Sequence, residues 1–185
     1  MKTVLITGAT SGIGKATAKL LAQQGYRMII CGRKPDVLEQ LKKDLSAFTE
    51  VFSLQFDQRF FSEVECALLS LPEAWKSIDI LINNAGNAHG LDSLCDGNIA
   101  DWDAMIDGNV KGLLYVSKMI MPQMRERQSG HIINISSVAA RQTYAGGVVY
   151  CASKRAVDVI SEGMRIELTE FGIKVTNIQP GAVET

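Results

Sequence analysis

Tyr150 and Lys154 stand four residues apart in Tyr150-Cys151-Ala152-Ser153-Lys154, a spacing that puts phenol and ammonium on one face of a helix. A phenol can take or give a proton, and a neighbouring cation favours its anionic form. A free tyrosine titrates near pH 10, so useful phenolate at neutral pH needs about 4 kcal/mol of stabilisation. An exposed charge pair one helical turn away supplies only about 0.3–0.5 kcal/mol. The pair therefore reads as chemistry only in a partly dehydrated cleft, with a further positive charge such as that of an oxidised nicotinamide beside it. Taken alone, a surface Tyr and Lys one turn apart is commonplace.

Other residues give the pair its context. Thr7-Gly8-Ala9-Thr10-Ser11-Gly12-Ile13-Gly14 lies between an apolar run and a helical pattern. Glycine at 8 permits a sharp turn, and glycines at 12 and 14 let backbone amides reach a phosphate and let helix pack on strand. The free amides and dipole of the helix start favour an anion. The spacing is GxxxGxG rather than GxGxxG, and a purely structural turn would look similar. At the end of the second apolar run, where an acidic residue would bind an adenosine ribose, stand Cys31-Gly32-Arg33-Lys34. Two cations and no carboxylate suit a 2′-phosphate, so NADP is favoured over NAD. The plain alternative is a solvated basic turn, with Asp36 in the first turn of the next helix.

Ser136-Ser137 closes the run HIINI at a sheet edge where ligands bind in such folds, and a serine hydroxyl there can donate to a carbonyl oxygen gaining charge. Asn83-Asn84-Ala85-Gly86 follows another apolar run at the same edge, either as a simple turn or as a close approach to a cofactor ring. Asn109, in Gly108-Asn109-Val110-Lys111-Gly112, is polar inside a helical stretch and by itself reads first as a cap or kink.

The elements that must position these residues alternate along the chain. Strand patterns fall at 3–7, 27–31, 50–56, 78–82, 131–135 and 173–178. Helical patterns fall at 13–24, 36–47, about 60–71, near 101–107, 110–127 and about 148–170. Apolar strands separated by helices predict a doubly wound parallel sheet, a Rossmann-like three-layer α/β/α fold covered on both faces. There is no internal repeat or linker, so residues 1–185 are expected to form one domain. Strand 173–178 would be a bare edge, and the chain reads as C-terminally incomplete.

Composition narrows the class. The chain has 185 residues, 46% hydrophobic and 21% charged, with a net charge of -1. These values fit a globular protein and give no basic field for nucleic acid. The start leaves no room for a signal peptide, and no apolar stretch approaches the ~20 residues that span a bilayer. Cys31, Cys66, Cys95 and Cys151 form no CxxC pair, and His89 and His131 are the only histidines, so neither a metal site nor a disulfide framework is expected. A cytoplasmic location is the simplest expectation.

Together TGATSGIG, NNAG, the asparagine of GNVKG, the serines after HIINI, YCASK and the closing PGAVET resemble, in that order, the short-chain dehydrogenase/reductase family along essentially the whole chain. The resemblance implies a catalytic tetrad of Asn109, Ser137, Tyr150 and Lys154, the family's serine-to-tyrosine spacing selecting Ser137 over Ser136. Tyr150 would exchange the substrate proton and Ser137 would polarise the substrate oxygen. Lys154 would hold the nicotinamide ribose and favour the phenolate, and Asn109 would hold a relay water. It implies NADP contacts from Gly8, Thr10, Ser11, Gly12, Ile13 and Gly14, with Arg33 and Lys34 at the 2′-phosphate and Asp57 and Gln58 at the adenine. Asn84, Ala85 and Gly86 would lie along the cofactor, joined by Tyr150 and Lys154, with Pro180, Gly181, Val183 and Thr185 against the nicotinamide end.

Within the family, SLPEAWKSIDILINNAG, DWDAMIDGNVKGLLYVSK and TYAGGVVYCASK resemble the NADP-dependent 3-hydroxy acid (serine or allo-threonine) dehydrogenases of bacteria and yeast. The expected activity is reversible oxidation of a secondary alcohol to a ketone on a small hydroxy acid. The alternatives are a carbonyl reductase for a different ketone and a catalytically silent NADP-binding regulator. The resemblance further implies a homotetramer or homodimer, and a final substrate-covering segment, strand and helix beyond residue 185, without which turnover would be slow or absent.

Overall fold

The computed structural model describes residues 1–183. Its strands are β1 (Thr3–Ile6), β2 (Arg27–Gly32), β3 (Val51–Gln55), β4 (Ile80–Asn83), β5 (Gly130–Ile135) and β6 (Ile173–Ile178). Its helices are α1 (Gly12–Gln23), α2 (Pro35–Leu45), α3 (Phe61–Leu69), α4 (Glu73–Lys76), α5 (Ile99–Ile106), α6 (Gly112–Glu126) and α7 (Val148–Leu168). The strands form one sheet in the order β3-β2-β1-β4-β5-β6, and every pairing is parallel. This is the doubly wound, Rossmann-like arrangement.

Alternating strand residues feed two cores. Val4, Ile6, Met28 and Ile30 pack under Ala18 and Ala22 of α1 and Leu38, Leu41 and Leu45 of α2. Leu5, Ile29, Leu81 and Ile132 pack on the other face with residues of α3, α6 and α7. The helices carry the matching signals: α2 begins with Pro35 and Asp36 and ends with Lys42 and Lys43, in line with its dipole. Val157, Ser161, Met164 and Leu168 form the buried stripe of α7 at helical spacing.

One expectation needs correction. The helical patterns at 101–107 and 110–127 are not separate helices, because a π-helical turn, Asp107–Lys111, joins α5 to α6 without a break. Gly108 and Asn109, which read as a possible cap or kink, are both buried in that turn. As expected, helices cover the sheet on both faces, and β6 is the bare edge. In β6 the residues Ile173 and Val175 are buried while Lys174 and Thr176 are exposed, a period-two pattern that marks one covered face. α4 and short 3-10 turns at Val138–Ala140 and Thr169–Phe171 were not anticipated; they are too short for a periodic signal. Among the described residues, no helix is long and apolar enough to cross a membrane.

Candidate functional site

The strand order reverses at β1, whose neighbours are β2 and β4, so the chain leaves β1 and β4 in opposite directions and opens a crevice at their ends. A cleft of about 550 Å³ occupies that edge. Its lining includes Gly8, Thr10, Ser11, Gly12 and Ile13 from the glycine loop, and Arg33, Asp57 and Gln58 from the turns after β2 and β3. Asn84, Ala85 and Gly86 contribute from the end of β4. Ser137, Tyr150, Lys154, Pro180, Gly181 and Val183 complete the other end. Thr185 lies outside the described residues.

The glycine loop is built around close contacts. Gly8 has φ +62°, and a Cβ there would lie 2.8 Å from the Cα of Ala85. Gly14 is buried behind the loop, where a Cβ would run into the carbonyl of Gly8 and the Asn84 amide. The Thr7 hydroxyl accepts from the backbone N–H groups of Asn84 (3.1 Å) and Ala85 (3.0 Å), while Asn84 Nδ2 donates to the carbonyls of Thr7 and Gly8 (2.9 and 3.0 Å). The turns after β1 and β4 are thus locked together. Ser11 precedes α1 in an extended conformation and makes no capping hydrogen bond, so the first amides of α1 have no side-chain partner and face the cleft as donors.

At the other end, α7 starts after Gly147 and carries Tyr150 in its first turn, where the positive end of the helix dipole favours an anion. Lys154, one turn on, is only 5% exposed. Its Nζ lies 5.9 Å from the centre of the Tyr150 ring and donates to the Ile135 carbonyl at 3.0 Å. Burial pushes the Lys154 ammonium down to about 8.

The two serines differ. Ser136 is buried, and its single hydroxyl hydrogen is placed between Asp158 Oδ1 (2.7 Å), its nearer acceptor, and the Lys154 carbonyl (3.1 Å). Ser137 is partly exposed, and its hydroxyl accepts from the Ala139 N–H at 3.1 Å, which leaves its own hydrogen available to the cleft. Asp158 also accepts from Asn177 (2.7 Å) and Gln179 (2.6 Å), fastening α7 to the end of β6 and the segment that leads to Pro180. Burial works against the Asp158 charge, but the Ser136, Asn177 and Gln179 hydrogen bonds and the nearby Arg155 together hold its carboxyl below the ordinary range.

Asn109 and Lys34 fall outside the cleft lining. Asn109 is 2% exposed; its Oδ1 accepts from the Asn87 N–H at 2.7 Å, and its Nδ2 donates to the Asn87 carbonyl (2.8 Å) and the Ser153 hydroxyl (3.0 Å). Both amide hydrogens are therefore used to hold the segment after Gly86 against α7. Lys34 is the exposed, extended residue immediately before α2, and of the two cations only Arg33 lines the cleft.

Asn87 and Arg59, not among the residues expected from the sequence, also line the cleft. Asn87 directly follows NNAG, and Arg59 is a cation two residues past Asp57; these positions were the only signals. Among the described residues, no group of three or more His, Cys, Asp or Glu side chains could hold a metal ion.

This geometry fits a dinucleotide, with amide donors for its phosphates midway, guanidinium groups at one end and a phenol with an ammonium at the other. Residues 2–185 match the family model described as short chain dehydrogenase. The chain is 43% identical over 180 residues to the NADP-dependent 3-hydroxy acid dehydrogenase of Escherichia coli K12, covering 97% of this chain and 72% of that protein. It is 43% identical over 184 residues to the serine 3-dehydrogenase of Rhizobium radiobacter, covering 99% of this chain and 72% of that one. The closed form of a serine dehydrogenase complexed with NADP+ superposes with a TM-score of 0.93 at 42% identity, covering 98% of this chain and 73% of that one.

Proposed function

From the premise that this chain belongs to the short-chain dehydrogenase family, we propose that it is an NADP-dependent oxidoreductase that interconverts a small 3-hydroxy acid, such as serine or allo-threonine, and its 3-oxo form, an aldehyde from serine and a ketone from allo-threonine. The observation that carries the chemistry is that Tyr150 and Lys154 on α7 open into the same cleft as Ser137 and the glycine loop. NADP, when bound, accepts the hydride from the alcohol carbon and returns it in the reverse direction.

The chain's own groups handle the proton. Tyr150 takes the hydroxyl proton as the alcohol becomes a carbonyl and gives it back in reduction. Ser137 donates its free hydrogen to the substrate oxygen. Lys154, held by the Ile135 carbonyl, supplies the positive charge that favours the phenolate and a donor for ribose hydroxyls. Asn109 keeps the segment around Asn87 in place beside Lys154; with both Nδ2 hydrogens engaged, a relay water would be held by its oxygens.

Gly8, Thr10, Ser11, Gly12 and Ile13 would hold the phosphates, with Gly14 supporting the loop from behind. Arg33 would hold the 2′-phosphate, Asp57 and the backbone of Gln58 the adenine, and Asn84 to Gly86 with Pro180, Gly181 and Val183 the nicotinamide half. The Gln58 side-chain amide is already committed, donating to the carbonyls of Ala85 (3.1 Å) and Gly108 (2.7 Å). The same reading takes residues 1–185 as one domain carrying both cofactor and catalytic groups, assembled as a homodimer or homotetramer. The exposed Val159 and Ile166 of α7 support that assembly.

The test follows NADPH formation with serine, allo-threonine and simple secondary alcohols. Hydroxy-acid turnover that needs NADP, and that falls by about 10²–10⁴ in Tyr150→Phe while NADP still binds, is the expected result. Turnover on other alcohols alone would move the substrate to a different ketone. NADP binding with no turnover on any of them would favour a silent NADP-binding protein.

A further inference from the structure

The adenosine end of the cleft holds a charge arrangement in which one carboxylate lies between two guanidinium groups. Arg59, in the turn between β3 and α3, grips Asp57 from two sides. Its Nε lies 3.1 and 3.0 Å from the two carboxylate oxygens, and its Nη2 lies 2.6 Å from Oδ2. Its backbone N–H adds a further bond to Oδ1 at 3.1 Å. Arg33 approaches the same Oδ2 only to 3.8 Å, beyond hydrogen-bonding distance. The side chain of Asp57 is 15% exposed, that of Arg59 32% and that of Arg33 62%, and all three line the cleft.

The charges are decisive at this spot. Burial works against the Asp57 charge, yet the Arg59 hydrogen bonds, with the charges of Arg59 and Arg33, hold its carboxyl below the ordinary range. Asp57 is therefore an anion at neutral pH, beside the cation that would receive a phosphate. With Arg59 absent, Arg33 and Asp57 would form a neutral pair. A dianionic phosphate would then compete with the carboxylate for one guanidinium and be repelled by it. With Arg59 present, Asp57 is already satisfied by a bidentate partner and Arg33 keeps its donors unspent.

We propose that Arg59 is a specificity-determining residue for the 2′-phosphate: by neutralising Asp57 it releases Arg33 for the phosphate and keeps the carboxylate from opposing it. Arg59 thus acts as a positioning residue through Asp57 and Arg33. The inference rests on the reading that Arg33 receives the 2′-phosphate. A purely structural ion pair that pins the β3–α3 turn is the competing account, and it differs in one measurable way. Loosening the turn would weaken NADP and NAD together, whereas the charge effect falls on NADP alone.

The experiment is calorimetric binding of NADP and NAD to the chain and to its Arg33→Gln, Arg59→Gln, Arg59→Lys, Asp57→Asn and Arg59→Gln/Asp57→Asn variants. Arg59→Gln is expected to weaken NADP by about three- to tenfold and NAD by less than about twofold, an effect that shrinks as salt is raised. In the Asp57→Asn background the same change is expected to leave the NADP-to-NAD ratio within about twofold, because no carboxylate remains to neutralise. Arg59→Lys, which keeps the charge without the fork, should recover part of the ratio, and it serves as the reading if Arg59→Gln does not fold.

Equal losses of NADP and NAD in Arg59→Gln, or the same shift in ratio with and without the Asp57 charge, would overturn the proposal. So would an Arg59→Lys chain with a fully Gln-like ratio. An Arg33→Gln chain with an unchanged NADP-to-NAD ratio would overturn the underlying reading of Arg33 instead. A shift in Arg33→Gln with none in Arg59→Gln would leave that reading standing and remove only the role of Arg59.

Discussion

At the end of the cleft proposed for the adenosine, the Arg33 side chain is 62% exposed and that of Arg59 32%; at the end proposed for proton transfer, Lys154 is 5% exposed and Asn109 2%. The first end works by charge in high dielectric, where each contribution is modest and adjustable. The second works through dehydrated groups that need every hydrogen bond they have. Asn83 Nδ2 donates to Ser117 (3.0 Å) and Asn134 (2.9 Å), and Asn134 donates on to Ser161 (2.9 Å), forming a buried polar floor under β4, β5 and α7. On the proposed function, changes at the exposed end should alter cofactor affinity by modest steps, whereas at the buried end a single lost partner leaves a buried polar group unpaired.

The sharpest way to break this contrast is Lys154→Met. Turnover is expected to fall by about 10²-fold or more. Stability should move the opposite way. The folded value of Lys154, about 8, lies below that of an ordinary lysine, so folding disfavours its charge. That penalty is fully present below about pH 8 and disappears as pH rises through the unfolded value near 10.4. After allowing for the lost bond to the Ile135 carbonyl, the cofactor-free variant should gain about 1–2 kcal/mol at neutral pH, with the gain shrinking towards pH 10. Denaturant melts at pH 7 and pH 10 check this, and a variant less stable at pH 7 would contradict it.

Arg33→Asp probes the other end. NADP affinity should fall by roughly ten- to a hundredfold with NAD nearly unaffected, since a carboxylate replaces a cation opposite the 2′-phosphate. Titration of both cofactors reads it, and equal loss of both would remove the phosphate role.

Asp158→Asn should be a smaller change, felt at the buried end. Urea melts at neutral pH are expected to show about 1–2 kcal/mol of destabilisation, because Ser136, Asn177 and Gln179 lose a charged acceptor. The native carboxyl titrates below its ordinary value, so this stabilisation is present above the unfolded value near 3.9 and is lost as pH falls through the folded one. The two proteins should converge in acid. The least consequential outcome concerns the thiols. Cys66 and Cys95 are exposed and should alkylate in the native protein, while Cys31 and Cys151 should resist until unfolding; burial pushes the Cys31 thiol up.

What the sequence determined by itself was local. Gly8 and Gly14 stand where a side chain would collide, and only a residue without Cβ fits, so the loop announces itself by residue type. Tyr150 and Lys154 are one helical turn apart, so their proximity follows from helix geometry alone. The alternation of apolar strands with amphipathic helices gave the parallel sheet, and the period-two spacing in IKVTNI agrees with β6 being buried on one face only.

What only the tertiary structure decided lies between elements. Helical periodicity averages over a turn and cannot register one inserted residue, so the π turn that buries Asn109 was invisible. Neither could residue type alone separate Ser136 from Ser137; their different partners come from α7 packing against the end of β5. Arg59 joins Arg33 because β2 and β3 pair in parallel with Gly32 opposite Gln55, so the turns that follow them emerge side by side. Lys154 has the charge of any lysine in the sequence. Its depressed value arises because the folded chain removes its water, and burial is a property of the assembled sheet and helices rather than of the residue.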